Sequence, residues 1–248
     1  WYVNSHIKTA EKDFSLFASF FRKLLTYDKK KKKPVYAHSI TWAITDVTDK
    51  EYYAVSLVDK LAPKLGLKKL RAGELVKDER IRKAAIEMVK KGNVPYPDRL
   101  FKQDIFVGTP MPHLNFDGNE RKKLDDGSYQ LHLYDDEQKV GADLNFAPKK
   151  PVTRHGDNGI VRGVGGEDMF YYFIPKCEVK GSVILEDKKN EITEASGWYD
   201  HEFGKSRDEK EDDAVKDIAW NWLAVQLDNG CELSVANLFN TKRNYRGC

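Results

Sequence analysis

The sequence predicts an all-β fold, an antiparallel barrel or sandwich, from three observations. Large and small side chains alternate strictly from Tyr36 to Asp46, which is the period-two pattern of a β-strand. Similar alternating runs recur along the chain with turn residues between them. Asp228-Asn229-Gly230 separates two such apolar runs, and Asn-Gly in this setting is a strong hairpin signal. Many short strands joined by turns favour a barrel or sandwich over a βαβ fold.

The individual strands follow from the same alternation. Further strands are predicted at Tyr52–Val58, Tyr129–Tyr134, Gly141–Phe146, Met169–Ile174, Cys177–Leu185 and Glu191–Ser196, with the hairpin strands at Ile218–Leu227 and Cys231–Leu238. The bulky face of the Tyr36–Asp46 strand is expected to fill or line an interior, and its small face to pack closely against another surface. The apolar pattern from Phe14 to Leu25 fits either a helix or a strand.

One accessory helix is predicted over about residues 77–91. Ile81, Ala84, Ala85 and Met88 recur at i, i+3, i+4 and i+7, with acids at the start and Lys90-Lys91-Gly92 at the end. The proline-bearing segment from Val94 to Pro112 is expected to be a loop. Together, residues 60–112 are expected to form a covering helix and loop within a single domain of residues 1–248.

Composition limits the possible functions. The 248 residues are 40% hydrophobic, which argues against disorder, and no apolar run approaches the ~20 residues that span a bilayer. The net charge of +3 gives no general reason to expect nucleic acid. Lys29 to Lys33 could touch phosphates or an anionic membrane, although a solvated loop is the simpler interpretation. Three widely spaced cysteines imply no metal cage, and a Cys177–Cys231 bridge stays open.

The segment from Ser196 to Gly204 carries the strongest chemical signal. It sets two acids and an imidazole among three aromatic rings. Aromatic surroundings disfavour a charged carboxylate, so an acid there can donate a proton near neutral pH. In an extended strand, Trp198, Asp200 and Glu202 share one face.

Other chemical motifs are missing from the sequence. No Gly-x-Ser-x-Gly, His-Glu-x-x-His or paired Cys-x-x-Cys motif occurs. Gly163-x-Gly165-Gly166 precedes no helical pattern and therefore fails as a dinucleotide loop. Arg154, His155 and Asp157 are interpreted as a charged hairpin tip. The prediction is an activity without metal or organic cofactor.

The segment from Gly197 to Gly204 resembles the signature of the carotenoid 1,2-hydratase-like (AttH, or hydroxyneurosporene synthase-type) lipocalin family. Further segments resemble the family in the same order, with Ser5 standing where glycine is usual. These segments are Trp1–Ile7, Phe20-Phe21-Arg22, Tyr36-Ala37-His38 with Ala43–Asp46, and Trp220-Asn221-Trp222 with Gln226–Leu233. The resemblance implies a lipocalin-like barrel. Family members commonly carry two barrels in tandem, so the second is expected to be absent or truncated here.

The resemblance also implies an activity. The expected substrate is an apolar unsaturated natural product (a terpenoid, carotenoid or polyketide) that undergoes acid-assisted hydration, dehydration or cyclisation. Asp200 is the predicted acid, and His38 and Glu202 are predicted to assist it. The predicted substrate-binding residues are Tyr36, Trp42, Tyr172, Trp198, Trp220 and Trp222.

Three alternatives stay open. Some family members are Diels–Alderase-type cyclases, in which a pocket folds a flexible chain into a reactive conformer. A carrier that binds a hydrophobic small molecule without catalysis is the second. In the third, core packing alone explains the rings, and His38 is a core histidine bonded to a neighbouring acid such as Asp46.

Overall fold

The fold is described from a computed structural model, which covers residues 1–30, 32–109, 112–162, 168–204, 218–240 and 246–247. The described strands are β1 Tyr2–Thr9, β2 Asp13–Asp28, β3 Lys33–Asp46, β4 Glu51–Val58, β5 Asp98–Leu100, β6 Ile105–Gly108, β7 His113–Phe116, β8 Asn119–Lys123, β9 Tyr129–Asp135, β10 Val140–Pro148, β11 Thr153–Arg154, β12 Ile160–Arg162, β13 Asp168–Leu185, β14 Lys188–Gly204, β15 Ile218–Gln226, β16 Glu232–Asn240 and β17 Arg246–Gly247. The described helices are α1 Ala62–Arg71 and α2 Glu79–Lys90.

The chain divides into two compact units. The first, here the sheet unit, consists of Trp1–Ala147 and Glu178–Ser196. The second, here the hairpin unit, consists of Pro148–Cys177 and Gly197–Cys248. The single domain over residues 1–248 stays a prediction.

A long curled sheet forms the sheet unit. Its strand order is β5-β4-β3-β2-β1-β14-β13-β10-β9-β8-β7-β6. Neighbouring strands from β1 to β4 and from β6 to β10 pair antiparallel, whereas β5 pairs parallel with β4. Phe20 of β2 and His38 of β3 each place their rings 5.4 Å from that of Phe116 on β7. Because β7 stands near the other end of the strand order, the sheet must curl into a half-barrel.

The inner face of this sheet is the core. The register sets Ala18 opposite Trp42 and Phe20 opposite Ile40, so the bulky faces of β2 and β3 point the same way. Trp42, Ile40 and Ile44 are fully buried. The predicted strand over Tyr36–Asp46 is confirmed, and the ambiguous Phe14–Leu25 segment is a strand.

Both helices belong to the sheet unit. The helix predicted over about 77–91 is α2, whose N-cap Asp78 accepts hydrogen bonds from the backbone N–H groups of Arg80 (2.9 Å) and Ile81 (3.1 Å). Helix α1 was not predicted, and Pro63 in its first turn fits the position where a missing N–H costs nothing. The segment from Val94 to Pro112 was expected to be a loop throughout, but it contains β5 and β6. Among the described helices, none is long and apolar enough to cross a bilayer.

The hairpin unit confirms the strongest turn prediction. Strands β15 and β16 pair from Ile218 opposite Asn240 to Gln226 opposite Glu232. Gly230 takes φ +81° in the turn between them, and this left-handed geometry is one that glycine adopts readily. Strand β17 pairs with β16, and β11 and β12 pair with the first half of β13.

The two described cysteines are free thiols, so the Cys177–Cys231 bridge is not formed. Cys177 is buried, and burial raises the pKa of its thiol to about 12. Cys231 is exposed on the β15–β16 turn. A buried thiol that stays protonated behaves as a small apolar side chain.

Candidate active site

The signature segment lies on β14 in the hairpin unit, and its buried part spans four consecutive residues. Trp198 is 4% exposed, Tyr199 1% and Asp200 0%. Both faces of the strand are therefore covered at this point. At the end of the strand, the backbone of Gly204 lies close to β13. A Cβ at this position would lie only 2.7 Å from the carbonyl oxygen of Asp168, so a residue with a side chain would not fit without a shift.

One face of β14 carries both Trp198, which packs in a wall of aromatic rings, and Asp200. The Trp198 ring stacks on Phe173 of β13, with centroids 4.8 Å apart and planes 10° from parallel. The edge of Trp222 on β15 meets the Trp198 ring at 6.1 Å and 75°. Asp200 is two residues further along β14 on the same face as Trp198. Trp198 therefore shares a face of β14 with Asp200 and contacts Trp222, while the roles of these three residues stay predictions.

His155 extends this wall of rings. The sequence had indicated only that His155 belongs to a charged hairpin tip, so its contact with the rings was not predicted. Its ring stacks on Tyr171 with centroids 4.1 Å apart and lies 4.8 Å from the Phe173 ring. Its Nε2 is 3.3 Å from Ser234 Oγ, and Trp222 Nε1 donates to the same Oγ at 3.3 Å. Burial lowers the pKa of His155 below its ordinary value. A neutral imidazole that accepts from the Ser234 hydroxyl at Nε2 carries its proton on Nδ1.

Side-chain bonds hold the β15–β16 hairpin against β13 and β14. Gln226 Nε2 donates to the carbonyl oxygens of Pro175 (2.6 Å) and Gly197 (3.1 Å), one on each strand. Lys150 forms an ion pair with Glu232, whose side chain is 6% exposed. These contacts hold the turn end of the β15–β16 hairpin next to Gly197, which precedes Trp198.

The opposite face of β14 has a separate set of contacts. The hydroxyl of Tyr172 bonds to His201 Nδ1 at 2.9 Å, and its ring lies 6.1 Å from that of Tyr199. The Phe203 ring stacks on Phe170 at 5.3 Å. Tyr172 therefore stands with the residues that alternate with Asp200, and its role in substrate binding stays a prediction.

Glu202 and Trp220 are the other predicted site residues of the hairpin unit. The side chain of Glu202 is exposed, yet neighbouring protein desolvates its carboxyl enough to raise its pKa. It follows Asp200 on the same face of the strand. The backbone of Trp220 pairs with Leu238, while its side chain lies outside the described part of the structure.

The remaining predicted residues, Tyr36, His38 and Trp42, lie on β3 in the sheet unit. His38 Nδ1 is 3.4 Å from a carboxylate oxygen of Asp59, which replaces the expected partner Asp46. Burial lowers the pKa of His38, although Asp59 opposes this change. Asp46 instead accepts from Lys12 Nζ at 2.7 Å. Trp42 is enclosed by the core, and its role in substrate binding stays a prediction.

A pocket of about 270 Å³ opens elsewhere in the sheet unit. Its apolar side includes Val55 and Leu57, and its polar side includes Arg99 and Asp135. Arg99 forms an ion pair with Asp135, and a second with Glu137 at 2.8 Å. Arg99 at this pocket is thus engaged with two acids. None of the predicted site residues lines it.

The fold and site define a class: an all-β protein with a curled, largely antiparallel sheet and a fully buried acid on its signature strand. The AttH-like family model matches residues 1–247, and the chain belongs to that family. This confirms the resemblance and the lipocalin-like fold. No curated protein sequence matches the chain.

Two solved structures share the fold. A protein described as AttH from Nitrosomonas europaea superposes with a TM-score of 0.66 at 16% identity, over 99% of this chain and 61% of its own. Kievitone hydratase from Nectria haematococca superposes with a TM-score of 0.56 at 14% identity, over 99% of this chain and 58% of its own. This chain therefore spans about three fifths of the length of the structures that it matches.

Proposed function

We propose that this protein is a hydratase-type enzyme that adds water to, or removes it from, an apolar unsaturated natural product, with Asp200 as the proton donor. One observation carries the proposal: Asp200 is completely buried on the face of β14 that continues the Trp198 ring wall. A hydratase among the proteins of the same fold supports this reaction class. Terpenoids, carotenoids and polyketides are the proposed substrates.

The chemistry places two demands on the site. An isolated alkene is a weak base, so the acid must remain protonated and be well aimed. Apolar, ring-lined surroundings favour the neutral form of a carboxyl group, which is the form that donates a proton. The rings of Trp198 and Trp222 can then stabilise a neighbouring cation by up to about 2 kcal/mol each when water is excluded.

The proposed reaction transfers one proton to the alkene and then adds one water molecule. The Asp200 carboxyl gives its proton to one alkene carbon, and the π electron pair forms the new C–H bond. A cation remains on the other carbon, a water oxygen bonds to it, and the proton that this water loses restores the Asp200 carboxyl. The net change is one added water, and the reverse sequence dehydrates an alcohol.

The polar groups beside the wall supply further roles. His155 and Ser234 are proposed to hold the attacking water, because a neutral imidazole and a hydroxyl both bond to water without adding charge. Trp198 Nε1 is buried and bonds to no acceptor among the described residues, so it is available to donate to an oxygen of the substrate. Glu202 is proposed to assist Asp200 from the same face.

The test is turnover of terpenoid, carotenoid and polyketide alkenes in heavy-oxygen water, followed by mass spectrometry. A hydratase gains one labelled water in its product. Asp200→Asn should lower the rate by about 10²- to 10⁴-fold, which is the usual contribution of a general acid. Asp168→Asn, the same change at an exposed acid on β13, should leave the rate unchanged.

Two results would replace the proposal. If the product is cyclised and Asp200→Asn keeps most of the rate, the protein is a cyclase that works by folding its substrate. If apolar compounds bind and are recovered unaltered, the protein is a carrier.

A further inference from the structure

Helix α2 in the sheet unit exposes three of the four apolar residues by which it was predicted, and the fourth, Ala85, is half-buried. Ile81 is 60% exposed, Met88 is 39% exposed and Ala84 is also exposed. The buried side of α2 is instead the one that carries Val89. An amphipathic helix normally turns its apolar stripe to the core, so an outward stripe indicates an interaction surface.

Helix α1 and the α1–α2 connection expose further apolar and basic side chains. Leu65 on α1 is 38% exposed, and Leu75 in the connection is 57% exposed. Lys64 and Lys68 stand exposed on α1, one turn apart. Apolar and basic side chains are thus interspersed across both helices.

The segment that contains both helices also carries a high positive charge. Residues 60–91 contain eleven lysines and arginines and four acids, a net charge of +7, whereas the whole chain has +3. The remaining residues therefore carry a net charge of −4. Such a concentrated positive charge selects an anionic partner.

A second basic and apolar element lies at the same end of the sheet. Strand β3 pairs with β4 only from Ser39 onwards. Its earlier residues pair with β2 alone, as far as Lys33 opposite Asp28, so the β2–β3 hairpin projects past the end of β4. Helix α1 starts shortly after this end of β4. The projecting hairpin exposes Leu24 and Tyr27, and around its turn it also exposes four described lysines, Lys29, Lys30, Lys32 and Lys33.

We propose that the α1–α2 helix pair, together with the β2–β3 hairpin tip, binds the surface of an anionic lipid membrane. Phospholipid headgroups attract the lysines, and the acyl boundary accepts the exposed leucine, isoleucine and methionine side chains. A nucleic acid would satisfy the charge but would leave these apolar side chains without a partner. The proposal is independent of the reaction proposed above, and it gives an enzyme of that kind access to substrates dissolved in lipid.

The test is flotation of the full chain with vesicles. Binding is expected to equimolar phosphatidylserine and phosphatidylcholine, and only weakly to phosphatidylcholine alone. Lys64→Glu with Lys68→Glu should weaken binding at least about twentyfold, since each basic residue near an anionic surface contributes roughly fivefold. Raising the salt concentration should weaken binding of the unaltered protein in the same direction.

A second variant tests the apolar contribution. Ile81→Gln with Met88→Gln should weaken binding about tenfold at unchanged charge, because less apolar surface enters the lipid boundary. The control, Lys122→Glu with Lys180→Glu, makes the same charge change on exposed strand positions of the sheet unit and should bind almost normally. Circular dichroism checks that each variant is folded.

Three results would overturn the proposal: no flotation with anionic vesicles, equal binding to neutral vesicles, or equal weakening by the control variant. Tight binding to duplex DNA without binding to vesicles would also overturn it, in favour of a nucleic acid. The measurement follows lipid binding alone, so its failure leaves the proposed reaction untouched.

Discussion

The two units use their aromatic side chains differently. In the sheet unit, the rings of Trp42, Phe20 and Phe116 are fully buried within the curled sheet, where they fill the interior. In the hairpin unit, rings from four separate strands or turns pack in a row that includes Trp198, which shares a face of β14 with the buried Asp200. The same residue types therefore form a packed core in one unit and a row of rings near the proposed proton donor in the other.

Their polar groups differ in the same way. Buried acids of the sheet unit are held by cations: Asp46 by Lys12, and Asp135 by Arg99. Burial alone would raise their pKa values, but these hydrogen bonds lower both below the ordinary value. In the hairpin unit, His155 is surrounded by rings and bonds to the neutral Ser234 hydroxyl. Ion pairs therefore hold these acids of the sheet unit, and the hairpin unit has one of its own in Lys150–Glu232, whereas neutral hydrogen-bonding groups border the proposed site.

The largest expected effect concerns the core of the sheet unit. Trp42→Ala should lower the free energy of unfolding by about 3–5 kcal/mol, since it leaves a large cavity in a close-packed interior. Urea denaturation followed by circular dichroism measures the change. A loss below about 1 kcal/mol would contradict a packing role for this ring.

The next prediction concerns the attachment of the hairpin. Gln226→Ala should cost about 1–3 kcal/mol, because the carbonyl oxygens of Pro175 and Gly197 lose their shared donor. Faster amide hydrogen exchange in β15 and β16 is expected as well. Gln130→Ala, at an exposed position on β9, is the matched control, and an equal effect there would remove the hairpin-specific explanation.

A smaller effect should separate the two tryptophans by ligand binding. Trp198→Phe should weaken binding of an apolar polyene by about tenfold at most, since an aromatic contact contributes about 0.5–1.5 kcal/mol. It should also remove much of the fluorescence quenching by that ligand. Trp42→Phe should keep both, and loss of quenching in this variant instead would place the ligand in the sheet unit.

The smallest effect is a pH dependence. The pKa of His155 lies below its ordinary value, so the unfolded chain takes up this proton first as the pH falls through about 6.5. Folded stability should therefore decrease from that pH downwards, and less steeply in His155→Gln. His38→Gln should change the slope less, because Asp59 opposes the effect of burial there. Denaturation curves between neutral and mildly acidic pH measure both slopes, and an unchanged slope in His155→Gln would refute the neutral-histidine interpretation.

Local patterns in the sequence predicted much of the fold. The alternation from Tyr36 to Asp46, the Asn-Gly turn before Cys231 and the periodicity of α2 each involve residues that are close in sequence, and each is confirmed. Helix α1 was missed because its Pro63 and Gly66 weaken the helical signal. The periodicity of α2 also did not indicate which side of the helix is buried.

The site was less predictable, because its contacts join distant segments. His155 gains its environment from Tyr171 on β13 and Ser234 on β16, and neither follows from the residues around it. His38 bonds to Asp59, 21 residues away, rather than to the acid on its own strand. The signature segment was recognised because its acid and rings are consecutive. The contacts of the other site residues depend on side chains that are distant in the sequence.

The polar part of the ring wall comes largely from one short stretch of chain. Trp222 and Ser234 both lie on the β15–β16 hairpin, whose grip on its neighbours depends on the Gln226 amide and backbone carbonyl groups. Backbone carbonyls are present whatever the side chains, so this hairpin can be exchanged for that of a relative when Gln226 and Glu232, the partner of Lys150, are retained. Variation of about two dozen codons (residues 218–240) would therefore change the polar lining of the proposed site in a single segment.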